Sequence, residues 1–231
     1  MSRAESSSRV VLVLPTYLPE SFGGAEQQSR KLARALTRLG VRVTLLAPRL
    51  LPGTAKREDD MSISLHRFRV RKPPNLGGRY IGSLVVWGAK LVWWLARNRN
   101  EYDVIHIIHG RLHALPAVLG GALLGKPTLI KIGRGGVEHF DLDLVRRKKL
   151  FGRWYASKLV RHATAYIANS HEIAEDLRRW HIAAERIHQI PNGVELPPLA
   201  ETAARTDIVR FIYLGRLDPE KSLDLMIRGF A

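Results

Sequence analysis

Two cations set just behind a glycine are the residues of this chain best suited to chemistry. Arg216 follows Gly215 at the end of an apolar run, Val209 to Leu214 (VRFIYL), and Lys221 precedes a helix-like stretch, LDLMIRGFA. A strand that ends at a glycine, with Arg and Lys converging over a helix N-terminus, can hold a diphosphate. The glycine lets the backbone approach, the helix end presents unpaired N–H groups and a partial positive charge, and the two cations neutralise the phosphate oxygens. The chain stops at Ala231, before a second strand. Residues 208–231 therefore read as the first strand, loop and helix of a truncated nucleotide-binding domain.

Other candidate groups lie upstream. Gly23-Gly24-Ala25-Glu26 follows a short apolar run and starts a helix. It reads either as a loop that a ligand can approach closely or as a plain turn, and it is not the G-x-G-x-x-G dinucleotide fingerprint. His106, His109 and His113 cluster near the end of another apolar run. His106 reads as a hydrogen-bonded core histidine and His113 as helical surface. His109, at the carboxyl end, is the candidate for substrate contact or proton transfer. Lys131-Ile132-Gly133-Arg134-Gly135-Gly136 reads either as backbone N–H groups and an Arg gathered for a sugar or phosphate oxygen, or as a mobile glycine loop. Pro191-Asn192-Gly193-Val194 by itself is a turn signal. No ligand set for a metal stands out.

The elements that must position these groups alternate with regularity. Strand candidates are Val10–Leu14, Val41–Ala47, Ile63–Val70, Val104–Ile108, Thr128–Ile132, Ala165–Ala168 and Arg186–Ile190. Between them lie helix candidates at Ala25–Leu39, Tyr80–Arg97, Leu112–Leu124, Leu144–Arg161 and His171–Trp180. Apolar strands alternating with helices predict an α/β fold, a Rossmann-like parallel sheet with helices on both faces. Ligands of such sheets sit at the carboxyl ends of the strands, where SFGG, HGRLH and GRGG fall. Residues 1–8 read as a disordered N-terminus, 9–194 as one domain, and 195–207 as a linker.

Composition narrows the classes. Of 231 residues, 45% are hydrophobic and 25% charged, as in ordinary globular proteins, but the formal net charge is +16. That surplus favours polyanionic partners: nucleic acid, anionic lipid or phosphorylated substrates. Zero Cys excludes disulfides, thiolate metal sites and cysteine nucleophiles, and fits a reducing, cytoplasmic setting. Ile81–Leu95 is apolar but falls short of the roughly 20 residues that span a bilayer. In 144–161, Arg146, Arg147, Lys148, Lys149, Arg153, Lys158 and Arg161 interleave with Leu150, Phe151, Trp154, Tyr155 and Leu159. Such a helix suits an anionic membrane interface, or is a solvated face over a core stripe; the Trp-rich segment 80–97 tips the balance towards membrane-surface contact. No nucleic-acid reading module accompanies the charge.

In their order, GGAE, YDVIH, IANS, IPNGVE and FIYLGRLDPEKSLDLMIRGF resemble the retaining GT-B glycosyltransferases of family four, from Val10 onwards. The resemblance implies an N-terminal acceptor-side domain, here followed by a truncated donor domain. It also implies transfer of a hexose from a nucleoside diphosphate sugar to a hydroxyl with retention, and no cofactor. Arg216 and Lys221 match the pair that holds the donor diphosphate, and Gly23 and Gly24 the loop bordering the donor phosphates and the acceptor. Glu26, Lys131, Gly133, Arg134, Asn192 and Gly193 fall on the acceptor side, and His109 is the catalytic candidate. Many relatives carry a histidine where this chain has Gly133-Arg134, and the family's E-x7-E segment would lie beyond Ala231. The acceptor is expected to be a lipid-linked or cell-surface polysaccharide precursor met at the cytoplasmic membrane face. The rival reading is a non-catalytic module binding acceptor or anionic membrane. An epimerase or dehydrogenase is disfavoured by the missing glycine fingerprint and Tyr-x-x-x-Lys pair.

Overall fold

Alternation within each apolar run decides how the chain layers. In the computed structural model, residues 8–60, 63–75, 80–136, 138–149, 151–194, 196, 211–215, 217 and 222–230 are described. The chain divides into two compact units, Met1–Val194 and Glu195–Ala231.

The first unit holds one eight-stranded sheet. Its strands are β1 (Arg9–Val13), β2 (Arg42–Arg49), β3 (Arg57–Asp60), β4 (Ile63–Arg69), β5 (Val104–Ile108), β6 (Thr128–Lys131), β7 (Ala165–Ala168) and β8 (Ile187–Gln189). Their spatial order is β3-β4-β2-β1-β5-β6-β7-β8, parallel throughout except for β3, which runs antiparallel to β4. The helices are α1 (Gly24–Arg38), α2 (Ile81–Arg97), α3 (Ala114–Leu124), α4 (Asp141–Arg146), α5 (Gly152–His162) and α6 (His171–Arg179). Val11 and Val13 enter a large core cluster with Trp87 of α2, Leu115 of α3, Leu159 of α5 and Leu177 of α6. Leu12 and Leu14 point the other way, into a cluster with Ala33, Leu32 and Leu36 of α1. Each such side chain, fully buried, contributes about 1.5–3 kcal/mol, so both faces of β1 anchor the sheet's centre.

Three expectations need correction. The helix expected over Leu144–Arg161 is two helices, α4 and α5, with Phe151 at a positive φ of 58° between them. A Cβ on Gly152 would lie 2.5 Å from the Val145 carbonyl oxygen and 2.7 Å from that of Arg146. The glycine thus lets α5 start hard against the end of α4, and the four successive cations Arg146 to Lys149 give a continuous helix no support. The charged strand β3 is absent from the expected set because REDD carries no apolar alternation; it pairs at the edge of β4, where Glu58 bonds Arg67 (2.9 Å). His113 is fully buried rather than on the surface.

In the second unit, α7 (Leu223–Arg228) forms where a helix is expected, and the rings of Phe211 and Phe230 stand 4.6 Å apart. Residues 211–214 of the expected strand Val209–Leu214 are not in a strand, and 209 and 210 lie outside the described residues. An apolar run becomes a strand only by pairing, and no described residue offers this one a ladder. Arg216 and Lys221 also lie outside the described residues.

Candidate functional site

The parallel strands end along one edge of the sheet, and the groups singled out from the sequence in the first unit gather there. β1 leads through residues 14–23 into α1, whose N-cap is Gly23. Glu26, in the first turn of α1, is buried and accepts a hydrogen bond from the Thr16 hydroxyl (2.7 Å). A Cβ on Gly23 would come within 2.8 Å of Glu26 Oε2, so glycine lets the carboxylate fold back over the helix start. Gly24 has no atom within 4 Å of a Cβ position, leaving open space on that side. Burial favours the neutral form of Glu26, but the Thr16 and Ser21 hydroxyls, its own N–H and the nearby His109 hold its pKa below the usual carboxylate range.

His109 sits at the end of β5 with φ of 69°, an uncommon conformation for a non-glycine residue, and its N–H bonds the Lys131 carbonyl (2.8 Å). Its imidazole occupies the space over Gly133. A Cβ at position 133 would fall 1.8 Å from His109 Nδ1. The imidazole that follows β5 thus fills the room that the glycine leaves.

Asp141, absent from the candidates drawn from the sequence, organises this corner. Fully buried at the start of α4, it accepts from Arg111 Nε (2.9 Å) through Oδ1 and from the N–H groups of Gly133 (2.9 Å) and Gly110 (3.3 Å) through Oδ2. His109 Nδ1 stands 3.4 Å from Oδ2, close enough for attraction although that nitrogen makes no hydrogen bond. Burial alone would raise the Asp141 pKa; His109, Arg111 and the Gly133 N–H outweigh it and bring it down to about 2. Thirty residues separate Asp141 from Arg111, so the only local sign was an acidic residue opening a helix behind the glycine loop.

Lys131 closes β6, half-buried, with Nζ on Asn192 Oδ1 (2.6 Å); burial lowers its pKa. The turn at Asn192 and Gly193 is exposed, and no side chain crowds Gly193. Further along the glycine loop, the Gly136 N–H bonds Asp176 Oδ2 (2.8 Å), while a Cβ on Gly135 would meet Ile173 Cγ1 at 2.8 Å. Asp141 and Asp176 thus tie down both ends of Gly133-Arg134-Gly135-Gly136. The other two histidines serve the core, but His106 lacks the hydrogen bond expected at Nε2, which is buried without a partner. His106 is buried with its pKa lowered to about 4, by burial first and the Lys131 charge second. His113 Nε2 bonds the Ile108 carbonyl (2.9 Å), and burial with the His109 charge lowers its pKa to about 3. Among the described residues no three His, Asp or Glu side chains converge as ligands.

What the edge presents is an ionised carboxylate, an imidazole held beside a buried aspartate, and a Lys–Asn pair, with two glycine loops that admit a ligand to the backbone. Residues 22–196, which contain all of it, match the family model of Glycosyltransferase Family 4. The chain belongs to that family.

Solved structures share the fold with this family-four chain at low identity. The chain resembles Anabaena HepE in complex with UDP-glucose (TM-score 0.53, 20% identity, covering 80% of this chain and 44% of that one). It also resembles the lipopolysaccharide outer core galactosyltransferase WaaB (0.56, 17%, 83% and 47%). A UDP-GlcNAc 2-epimerase from Methanocaldococcus jannaschii is similar as well (0.52, 10%, 80% and 45%). A transferase and an epimerase both match, so the likeness establishes the fold alone and the family match separates the two. The chain spans under half the length of each of these proteins. No curated protein matches it.

Proposed function

We propose that the intact protein transfers a hexose from a nucleoside diphosphate sugar to a hydroxyl acceptor with retention, the acceptor being a lipid-linked or cell-surface polysaccharide precursor. The observation that carries this reading is the convergence of Glu26, His109 and the Lys131–Asn192 pair on the carboxyl edge of a family-four domain. That edge is where sheets of this kind take ligands.

In this mechanism the sugar–phosphate bond breaks first, through an oxocarbenium-like transition state. The acceptor oxygen then bonds the anomeric carbon on the face the diphosphate leaves, and its proton passes to the departing phosphate oxygen. No enzyme nucleophile is needed. Arg216 and Lys221 neutralise the charge that builds on the leaving group, Gly23 and Gly24 leave room for its phosphates, and Glu26 accepts from an acceptor hydroxyl. Gly133, Arg134, Asn192 and Gly193 border the acceptor, and His109 contacts the reacting sugar. The test is turnover of UDP-sugars by the intact enzyme. Arg216→Ala is expected to lower kcat about tenfold or more, and unchanged kinetics would reject the role given to that residue.

A second reading, a module that docks on anionic membrane, draws on exposed aromatics: Trp93 on α2, and Phe151 and Trp154 at α5, with Lys158 over the Trp154 ring at 5.9 Å. No described helix is long and apolar enough to cross a bilayer, so such contact would be at the surface. Sedimentation with liposomes decides it: equal binding to neutral and anionic lipid removes this reading.

A further inference from the structure

β2 and β4 end side by side, with Arg49 in register with Arg69, and α2 packs against β4, Lys90 Nζ donating to the Arg69 carbonyl (2.9 Å). Between these elements opens a groove of about 610 Å³, within the range of small-ligand sites. Six cations line it, Arg49, Lys56, Arg57, Arg67, Arg69 and Lys90, and among the described residues no Asp or Glu does. Carboxylates answer only two of the six among the described residues, Glu58 on Arg67 (2.9 Å) and Asp59 on Arg57 (3.8 Å). Arg49, Lys56, Arg69 and Lys90 have no acidic partner there.

A basic surface is usually just solvated, but two features separate this one from that case. Arg67 is 3% exposed and Arg49 half-buried, and the Nε–H of each is buried without an acceptor. Leaving such a donor unsatisfied is costly, and a small turn of either guanidinium towards a bound oxyanion would supply the acceptor. The second feature is Trp93, an indole 62% exposed on the groove wall beside Lys90, which gives a bound molecule an apolar surface next to the charge. Position ties the groove to the edge already described. Arg67 Nη2 donates to the Leu18 carbonyl (2.7 Å), in the loop that runs into Gly23 and Gly24. The groove therefore adjoins the acceptor-side loop, at the same ends of the parallel strands.

We infer that this groove binds a phosphate or diphosphate group carried by the acceptor, with Trp93 against the portion that adjoins it. The acceptor assignment rests on the transferase reading; the anion site itself does not. A compact, multiply charged oxyanion suits several cations around so small a volume, and it can belong to a soluble sugar phosphate or to a lipid headgroup.

The experiment is calorimetric titration of the full chain with inorganic pyrophosphate at constant ionic strength. Three proteins are compared: the parent, Arg69→Gln/Lys90→Gln in the groove, and Arg99→Gln/Arg178→Gln, which removes the same charge from exposed sites elsewhere. Circular dichroism melts check that all three fold. The groove pair is expected to weaken pyrophosphate binding tenfold or more and the control pair less than twofold. Equal losses in both pairs, or no loss in the groove pair, overturn the inference. Two further arms name the source: glucose 1-phosphate, and vesicles of phosphatidic acid against phosphatidylcholine. Groove-dependent binding of the first names a soluble acceptor, and of the second a lipid headgroup; groove-dependent binding of neither overturns the acceptor assignment. UDP-glucose turnover by the intact enzyme keeps the two ideas apart. Transfer without groove-dependent phosphate binding sinks the groove alone, and groove-dependent binding without transfer from any donor sinks the transferase reading alone.

Discussion

Placing a methyl group on residue 133 is expected to lower turnover of the intact enzyme about a hundredfold while leaving the fold in place. The Cβ of Gly133→Ala would sit 1.8 Å from His109 Nδ1 and 1.9 Å from Cε1, so the imidazole must swing away. What yields is the end of a side chain rather than backbone, and a stability cost of about 1–3 kcal/mol covers an adjustment of this kind. The chemistry has less tolerance, since a misplacement of about 1 Å at a reacting group costs on the order of a hundredfold. A double-mutant cycle identifies the route. If the methyl group acts by displacing His109, adding Gly133→Ala to a His109→Ala enzyme changes kcat no further. Independent, multiplying losses would show that position 133 contacts the substrate directly, and full activity in Gly133→Ala would remove His109 from the mechanism.

The central strands were plain in the sequence for a physical reason. VIHII and AYIA are short apolar runs flanked by turn residues, and the strands β5 and β7 cover just those residues. α3 ends as expected at Gly125, which takes a left-handed φ of 66°. Interactions between distant segments were not legible. REDD becomes a strand only because β4 offers an edge and Arg67 an opposite charge. His113 looked polar enough for a surface, but it caps α3 inside the core, where the Ile108 carbonyl meets its Nε2 and Nδ1 is buried without a partner. The candidate site divides the same way. Glycines and the positive-φ His109 mark loops at strand ends, so they could be found by position. The groove's charge showed only as a net surplus, because Arg49, Lys56, Arg69 and Lys90 come from three separate stretches.

Asp141 was the least legible residue of all, and its replacement carries the largest expected cost in stability. Its two oxygens serve Arg111 on one side and the Gly110 and Gly133 N–H groups on the other. Asn keeps the shape but has a single acceptor oxygen. Asp141→Asn must therefore leave either the guanidinium or the pair of N–H groups facing an NH₂ donor. It also removes the carboxylate that pairs with Arg111 and faces His109. Breaking a fully buried pair costs about 3–5 kcal/mol, and because Arg111 keeps some water contact about 2–4 kcal/mol is expected here. That is a large share of the 5–15 kcal/mol that typically holds a domain together. The sign of the pH dependence follows from the depressed pKa. Asp141 is held at about 2 in the folded chain against an ordinary 3.8, so its contribution is complete above about pH 4 and fades as pH falls towards 2. Urea titrations of both proteins at pH 6 and pH 3 test this directly. The gap between parent and Asp141→Asn should be smaller at pH 3, since acid then gives the parent what the substitution gives the variant. A gap unchanged with pH would mean that shape, not the charge of Asp141, holds the His109 corner together.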